Sequence, residues 1–455
     1  MKIGFLPLYI KLYDDIGASR TLLEEFYIEL TKTFEKNGVE VVTSEFCCIK
    51  PEFEKAVEKF EKADVDAIVT WHAAYSPSLE SIDALVNTKL PIVVLDTTPT
   101  PDFTTSDDPG KISWNHGIHG VMDMCSMLKQ RGKPYAIAAG YYLEPGYIER
   151  ILGFVRAAMA AKKLGTMKVG LAGGAFEGMG DFAVDPEELK QRFGICVETV
   201  KAEDMQKAKE SVTDEEFAAE LEINKQMFDF DDNIVEEEYH PFVKSCLALR
   251  KCVDNCGYNA FSVNFLDVSA IGTMPFVECC KAMERGIGYA GEGDALTAAF
   301  TGAFLSQYPD TSFVEIFCPD WQKDTVFLSH MGEMNYRIAD GKPLLSRTGS
   351  AFVKGTMPYA AYSKMKAGKG LYVNISRDKD DYSMLIAPCE MLSDGDDTMT
   401  NSMRGWMRHE SKTTAQFLQD LSVNGATHHS TFVYDATVEQ LEYFARLLSL
   451  KTVVI

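Results

Sequence analysis

The stretch Phe53–Trp71, FEKAVEKFEKADVDAIVTW, decides the fold of the first third of the chain. Phe53 to Lys62 carries apolar residues at helical spacing, whereas DAIVTW (66–71) is a continuous apolar run of strand length. The same alternation extends in both directions. KIGFLPL, VEVVTSEF, PIVVLDTT and YAIAAGYY read as strands, and Leu22–Asn37 and Tyr147–Leu164 read as helices. Strands alternating with helices predict a mostly parallel sheet covered on both faces, a doubly wound α/β domain over residues 1–166.

A second unit opens at KVGLAGG and continues through GICVETV and NAFSVNF, predicting a central α/β domain over 167–308. From 309 to 455 the character changes. DTVFLSHM, AFVKGTM, LYVNISR and YSMLIAP are short strands between Gly, Pro and Asp turns, which predict a mostly antiparallel, barrel-like β domain. A strand, the helix Val438–Leu448 and the strand KTVVI close the chain.

Composition excludes several classes of function. A formal charge of -22 repels phosphate backbones, and no basic run offsets it, so nucleic acid is not an expected partner. The longest apolar runs fall far short of the roughly 20 residues a membrane span needs. MKIGFLPLYI is followed at once by Lys11, Asp14 and Asp15, so it reads as a first strand rather than a signal peptide. The eleven cysteines include no CxxC spacing, which suits buried thiols in a reducing cytoplasm. The acidic segment Glu203–Glu238 lacks calcium-loop spacing and reads as a solvated helix face. GLAGGAFEGMG (170–180) follows a strand but meets neither nucleotide fingerprint, so a tight turn with close backbone approach is expected.

Four stretches carry candidate chemistry. In TSFVEIF, Glu315 shares a strand face with Phe313 and Phe317, and both faces look largely buried, a costly place for an unpaired carboxylate. In VFLSH, His330 falls on the face of Val326 and Leu328, where a histidine can be a core residue or a ligand. GYAGEGDALTAAF sets Glu292 between two glycines ahead of a helix, with Asp294 placed to favour the helix N-terminus. In ATHHSTFV, strand alternation puts His428 and His429 on opposite faces, and periodicity alone does not say which faces a site. Two carboxylates and two imidazoles together suit a divalent first-row metal with positions open for substrate.

GYAGEGD, SFVEIF, LSHMGE and THHSTF, in that order and with separations of 23, 15 and 99 positions from Glu292 to Glu315, His330 and His429 in turn, resemble the metal and catalytic motifs of the L-arabinose isomerases, within the arabinose/fucose isomerase family. HAAYSPS, WNHGIHG, EGMGDFAV and AFSVNFLDV resemble its substrate-side segments. The resemblance implies a manganese-type ion held by Glu292, Glu315, His330 and His429, with the two glutamates also trading a proton through an ene-diol. It implies that Tyr75, His116, His119, Met179 and Phe265 surround a small sugar, and that His428 serves the sugar or the layer behind the metal. It further implies a homo-oligomer, a trimer or a hexamer, in which one copy's N-terminal domain covers its neighbour's active site. Two departures stand out: His116 occupies a glutamine position of the arabinose isomerases, and the chain stops at Ile455 without their tail. A non-catalytic sugar-binding protein, and an epimerase or isomerase of a modified sugar using the same metal site, are the alternative readings.

Overall fold

Five parallel strands form the sheet of the first unit: β1 (Lys2–Leu8), β2 (Glu40–Thr43), β3 (Ala67–His72), β4 (Ile92–Asp96) and β5 (Tyr135–Ala139), in the order β2-β1-β3-β4-β5. From β1 the chain steps one way to β2 and the other way through β3, β4 and β5, as in a doubly wound sheet. β3, the second half of the opening stretch, pairs on both sides and is buried along its whole length, so it needs no polar alternation. The first half becomes the helix Lys50–Lys62, which buries Phe53, Ala56, Val57 and Phe60. Burying such side chains contributes about 1.5–3 kcal/mol each. Gly4 of β1 makes room for this helix, since a Cβ there would stand 2.5 Å from Cγ of Phe60.

This computed structural model describes every residue except 16–19, 349–354, 380 and 394–396; of the expected strand AFVKGTM, 351–354 lie outside the described residues. The chain divides into two compact units, Met1–Met159 and Ala160–Ile455. The second unit holds two sheet systems. β6 (Lys168–Ala172), β7 (Cys196–Thr199), the short β8 (Asp229–Phe230), β9 (Ala260–Val263) and β10 (Gly288–Gly291) come first. Four of them make a parallel sheet in the order β10-β9-β6-β7. Then follow β11 (Thr311–Asp320), β12 (Thr325–Ser329), β13 (Leu344–Arg347), β14 (Tyr359–Tyr362), β15 (Gly368–Asp378), β16 (Asp381–Met391), β17 (Gly405–His409), β18 (His429–Tyr434) and β19 (Lys451–Val454).

β15-β18-β11-β12-β17-β16 is antiparallel throughout, and β16 pairs back to β15 along Gly368↔Met391 to Asp378↔Asp381. The ring therefore closes as a six-stranded barrel with no free edge. The last strand, β19, joins β16 in parallel, and β8, β13 and β14 form a small separate sheet. No helix among the described residues is long and apolar enough to cross a membrane.

The acidic segment departs from expectation at one residue. Most of it is solvated helix, but Glu220 is 4% exposed. Its carboxylate accepts from Arg250 at 2.7 and 2.8 Å and from Lys281 at 2.6 Å, while Arg250 also grips the buried Glu278. Burial alone would raise the Glu220 carboxyl, yet these cations hold it at about 2 against an ordinary 4.5. A depressed carboxyl stabilises the fold above its unfolded value and loses that contribution as pH falls toward 2. Arg250→Met, which strands Glu220 and Glu278 without that partner, is expected to cost about 3–5 kcal/mol in denaturant unfolding at neutral pH. The difference from the parent should shrink as the pH is lowered through the carboxylate range.

Candidate active site

The barrel register brings the candidate residues together. On β11, Glu315 lies opposite His429 of β18 and opposite Ser329 of β12, the residue just before His330. Three adjacent strands thus deliver a carboxylate and two imidazoles to one end of the barrel. Glu292 arrives from the other sheet, one residue past the C-terminal end of β10, with the left-handed φ of 62°. Its neighbours must be small. A Cβ on Gly291 would stand 2.8 Å from Cε1 of His330, and one on Gly293 would stand 2.3 Å from the Gly174 carbonyl.

Each histidine is aimed by a carboxylate behind it. His429 Nδ1 donates to Asp294 Oδ2 at 3.1 Å, and His330 Nδ1 donates to Glu333 Oε2 at 2.7 Å. A carboxylate only accepts, so both rings carry a proton on Nδ1 and turn Nε2 inward. His330 Nε2 faces Glu315 Oε2 at 3.6 Å, and His429 Nε2 faces Glu292 Oε2 at 3.7 Å. Phe313 wedges between the two rings, edge-on to each at 5.0 Å, and Phe182 stacks on His429 at 4.8 Å. Asp294 also caps the helix Ala295–Leu305 by accepting from Thr297 N–H, the role read from its position, so one side chain serves both helix and histidine. Glu333 accepts further from the Tyr289 hydroxyl and from Gly332 N–H.

Electrostatics follow from this packing. Burial alone would raise the Glu292 carboxyl, but His428, His330 and His429 hold it below its ordinary value. At Glu315 burial prevails over the same imidazoles and raises it. Burial opposes charge on His330, yet Glu333, Glu315 and Glu292 lift it to about 9.

The residues fit a metal. Glu292 Oε2 and His429 Nε2 are buried acceptors with no hydrogen-bond partner, facing each other. Two lone pairs so placed repel unless a cation or proton lies between them. The 3.7 Å gap is within the roughly 4 Å that two bonds of about 2.1 Å from one ion can span. Glu315, His330 and His429 form one group with metal-ligand spacing, and Glu292, His428 and His429 form a second that shares His429.

That second group corrects the reading of the histidine pair. Alternation applies only within a strand, and β18 begins at His429, leaving His428 in the bend before it. Both rings turn toward Glu292: His428 Nε2 lies 3.6 Å from Oε2, and the ring centres are 4.3 Å apart. The segment is held from behind by Asn374 of β15, whose amide donates to the carbonyls of Thr427 and His429. His428 Nδ1 donates to Asp181 at 2.6 Å, and its contacts with Glu292 and then Asp181 raise it to about 9 despite burial. A second correction concerns TSFVEIF. β11 is buried only through Val314; Glu315 sits where burial fades, and Phe317 is 47% exposed. Pairing with β18 ends at Glu315, and beyond a register shift between Ile316 and Cys318 β11 pairs with β12 alone, which leaves this side of the strand open to solvent.

Met179 and Phe265 lie in loops after β6 and β9, at the same C-terminal sheet edge as Glu292. Phe265 packs 5.6 Å from Phe176, whose N–H donates to the Glu292 carbonyl. Tyr75, His116 and His119 belong to the first unit, in loops or a helix start after β3 and β4. His116 donates from Nδ1 to the Ile112 carbonyl and accepts at Nε2 from the Tyr13 hydroxyl, both at 2.7 Å, and burial lowers its pKa. Sequence reasoning missed Asp181, Phe182, Glu333 and Asn374 as supports. Glu333 carries a usable signal, a histidine followed three residues later by an acid just past a strand; the others carry none.

Residues 179–306 match the L-arabinose isomerase central domain and residues 310–451 the L-arabinose isomerase C-terminal domain. The class so defined is that of the aldose–ketose isomerases, which are intramolecular oxidoreductases. The chain belongs to the L-arabinose isomerase family. L-arabinose isomerase 2 of Bacillus licheniformis is 24% identical over 421 residues, 86% of this chain and 85% of its own. L-arabinose isomerase of Shouchella clausii is 23% identical, covering 88% of this chain and 85% of its own. L-arabinose isomerase of Flavobacterium johnsoniae is 24% identical, covering 85% of this chain and 80% of its own.

Proposed function

We propose that this chain is a divalent-metal-dependent isomerase of the L-arabinose isomerase type, acting on an open-chain sugar through an ene-diol, with manganese as the metal. The observation that carries the reading is the pair of buried, partnerless acceptors, Glu292 Oε2 and His429 Nε2, aimed at each other. Glu292, Glu315, His330 and His429 would hold the ion, whose chemistry is to stabilise the negative charge that develops on the sugar's O1 and O2.

Everything else falls to the chain's own side chains. One glutamate accepts the proton from C2 and a carboxyl returns a proton to C1, so Glu292 and Glu315 act as base and acid from opposite sheets. Asp294 and Glu333 hold a proton on Nδ1 of His429 and His330 and keep each Nε2 turned inward. Phe182 and Phe313 exclude water from the imidazoles. Met179, Phe265 and His428 border the sugar, and, as the family resemblance implies, Tyr75, His116 and His119 of a neighbouring copy's N-terminal domain add contacts. The reading includes assembly as a homo-oligomer, a trimer or a hexamer, as the family resemblance implies.

The test is incubation of aldoses and ketoses, L-arabinose first, with the manganese-loaded protein in deuterated water. Protein and metal are then removed and the sugars read by NMR. Interconversion of an aldose with its ketose is the expected result, with metal retained on elemental analysis. Epimers without ketose would favour the modified-sugar reading. Silence across pentoses, hexoses and deoxyhexoses would favour a binding protein.

A further inference from the structure

We propose that Asp181 is the positioning residue for His428, turning its ring so that Nε2 faces Glu292 and the space where the sugar would lie. The inference rests on the isomerase reading for its kinetic consequence, but not for its geometry.

His428 needs such a device for its ring, because Asn374 holds only the flanking carbonyls of Thr427 and His429. It lies outside β18, so strand pairing does not set its side chain, whereas His429 is held by register and by Asp294. A single oxygen of Asp181, Oδ2, accepts from the His428 backbone N–H at 3.0 Å and from its Nδ1 at 2.6 Å. Two donors from one residue on one acceptor fix both where the chain passes and how the ring is turned. Asp181 is anchored in turn by its neighbour. Phe182 is 3% exposed, stacks on His429 at 4.8 Å and lies 5.4 Å from the His428 ring. The loop between β6 and the helix Pro186–Phe193 therefore grips both members of the pair, one by its carboxylate and one by its ring.

The alternative is an ordinary surface ion pair, since Asp181 and the His428 ring are 38% and 33% exposed, and such pairs contribute little. The bond from Asp181 to the backbone N–H argues against that, because an ion pair formed only by side-chain encounter has no reason to include it. So does the direction of the far nitrogen. With Nδ1 protonated by its bond to an acceptor-only group, Nε2 is left 3.6 Å from Glu292 Oε2, on the partly open side of the cluster, while His429 fills the closed side at 0% exposure. Without Asp181 the ring is free to flip and to move its proton to Nε2.

The experiment uses the full-length protein with Asp181→Ala, Asp181→Asn, His428→Ala and the double variant Asp181→Ala/His428→Ala. Asp181→Ala is expected to lower kcat about 10–100-fold, the loss typical of removing a group that orients an imidazole, with manganese content unchanged by elemental analysis. Asp181→Asn, which keeps an acceptor for both donors, should recover part of the loss. The double variant should be no slower than His428→Ala alone, because Asp181 acts through that ring. Nitrogen-15 NMR of the imidazoles in metal-free protein, recorded at alkaline pH where the ring is neutral, should show His428 protonated at Nδ1 in the parent and a shift toward Nε2 in Asp181→Ala. Multiplying losses in the double variant, loss of manganese from Asp181→Ala, or an unchanged His428 tautomer would each overturn the proposal. If the parent turns over no sugar, the isomerase reading fails, and the NMR comparison still decides the role of Asp181.

Discussion

Glu292→Gln and Glu315→Gln are each expected to lower isomerisation about 10²–10⁴-fold, the range for losing a positioned acid or base, and further where the metal is also weakened. Glutamine has the same shape, so neither change opens a cavity or disturbs the barrel register. Far-UV circular dichroism and the unfolding midpoint should stay near those of the parent. The two positions differ in what glutamine leaves behind. At 292 it replaces one of two facing acceptors with an amide, whose NH2 can donate to His429 Nε2 at the 3.7 Å separation and close the gap the metal needs. Metal content should therefore fall in Glu292→Gln. At 315 the carboxyl is already raised by burial, so the neutral amide perturbs packing least there. The loss in Glu315→Gln should appear mainly in kcat. Near-normal turnover of either variant with manganese in excess would remove that glutamate from the mechanism.

The sequence revealed the parts of this site whose surroundings are local. The change of period inside Phe53–Trp71 identifies a helix followed by a buried parallel strand, because both patterns are written over a few consecutive residues. Glu292 between glycines is legible for the same reason: the left-handed turn and the close approach of His330 and Gly174 leave no room for Cβ on either side. What escaped depends on strand ends and on distant partners. Alternation gives His428 a face opposite that of His429, a rule that fails one residue before a strand begins. Apolarity places Phe317 in the interior, but β11 loses β18 as a neighbour after Glu315 and continues with β12 alone. Glu220 looked like one more solvated acid, since nothing near it in sequence announces Arg250 and Lys281. Asp181 and Asn374 reach the histidine segment from 247 and 53 residues away, so no window of sequence contains the contact.

His429→Ala should cost the protein its metal, and His428→Ala should not. Both rings stand within 3.7 Å of the same glutamate oxygen, so proximity to Glu292 does not separate them. Their surroundings do. His429 is fully buried, belongs to both groups with metal-ligand spacing, and lies opposite Glu315 in the barrel register, so it is the imidazole common to all the donors. His428 belongs to one group only, is one-third exposed, and stands before the strand. Asp294→Ala provides the internal control. It leaves every ligand in place but frees His429 to rotate and to carry its proton on Nε2, and the expected result is a 10–100-fold weaker hold on manganese, measured by competition with a chelator. Part of that variant's defect will be a lost helix cap, which costs about 1 kcal/mol of stability and is separated from metal binding by comparing metal-free unfolding midpoints. If His428→Ala lost the metal as completely as His429→Ala, the ion would sit in the Glu292–His428–His429 group, with Glu315 and His330 facing it across the sugar rather than holding it.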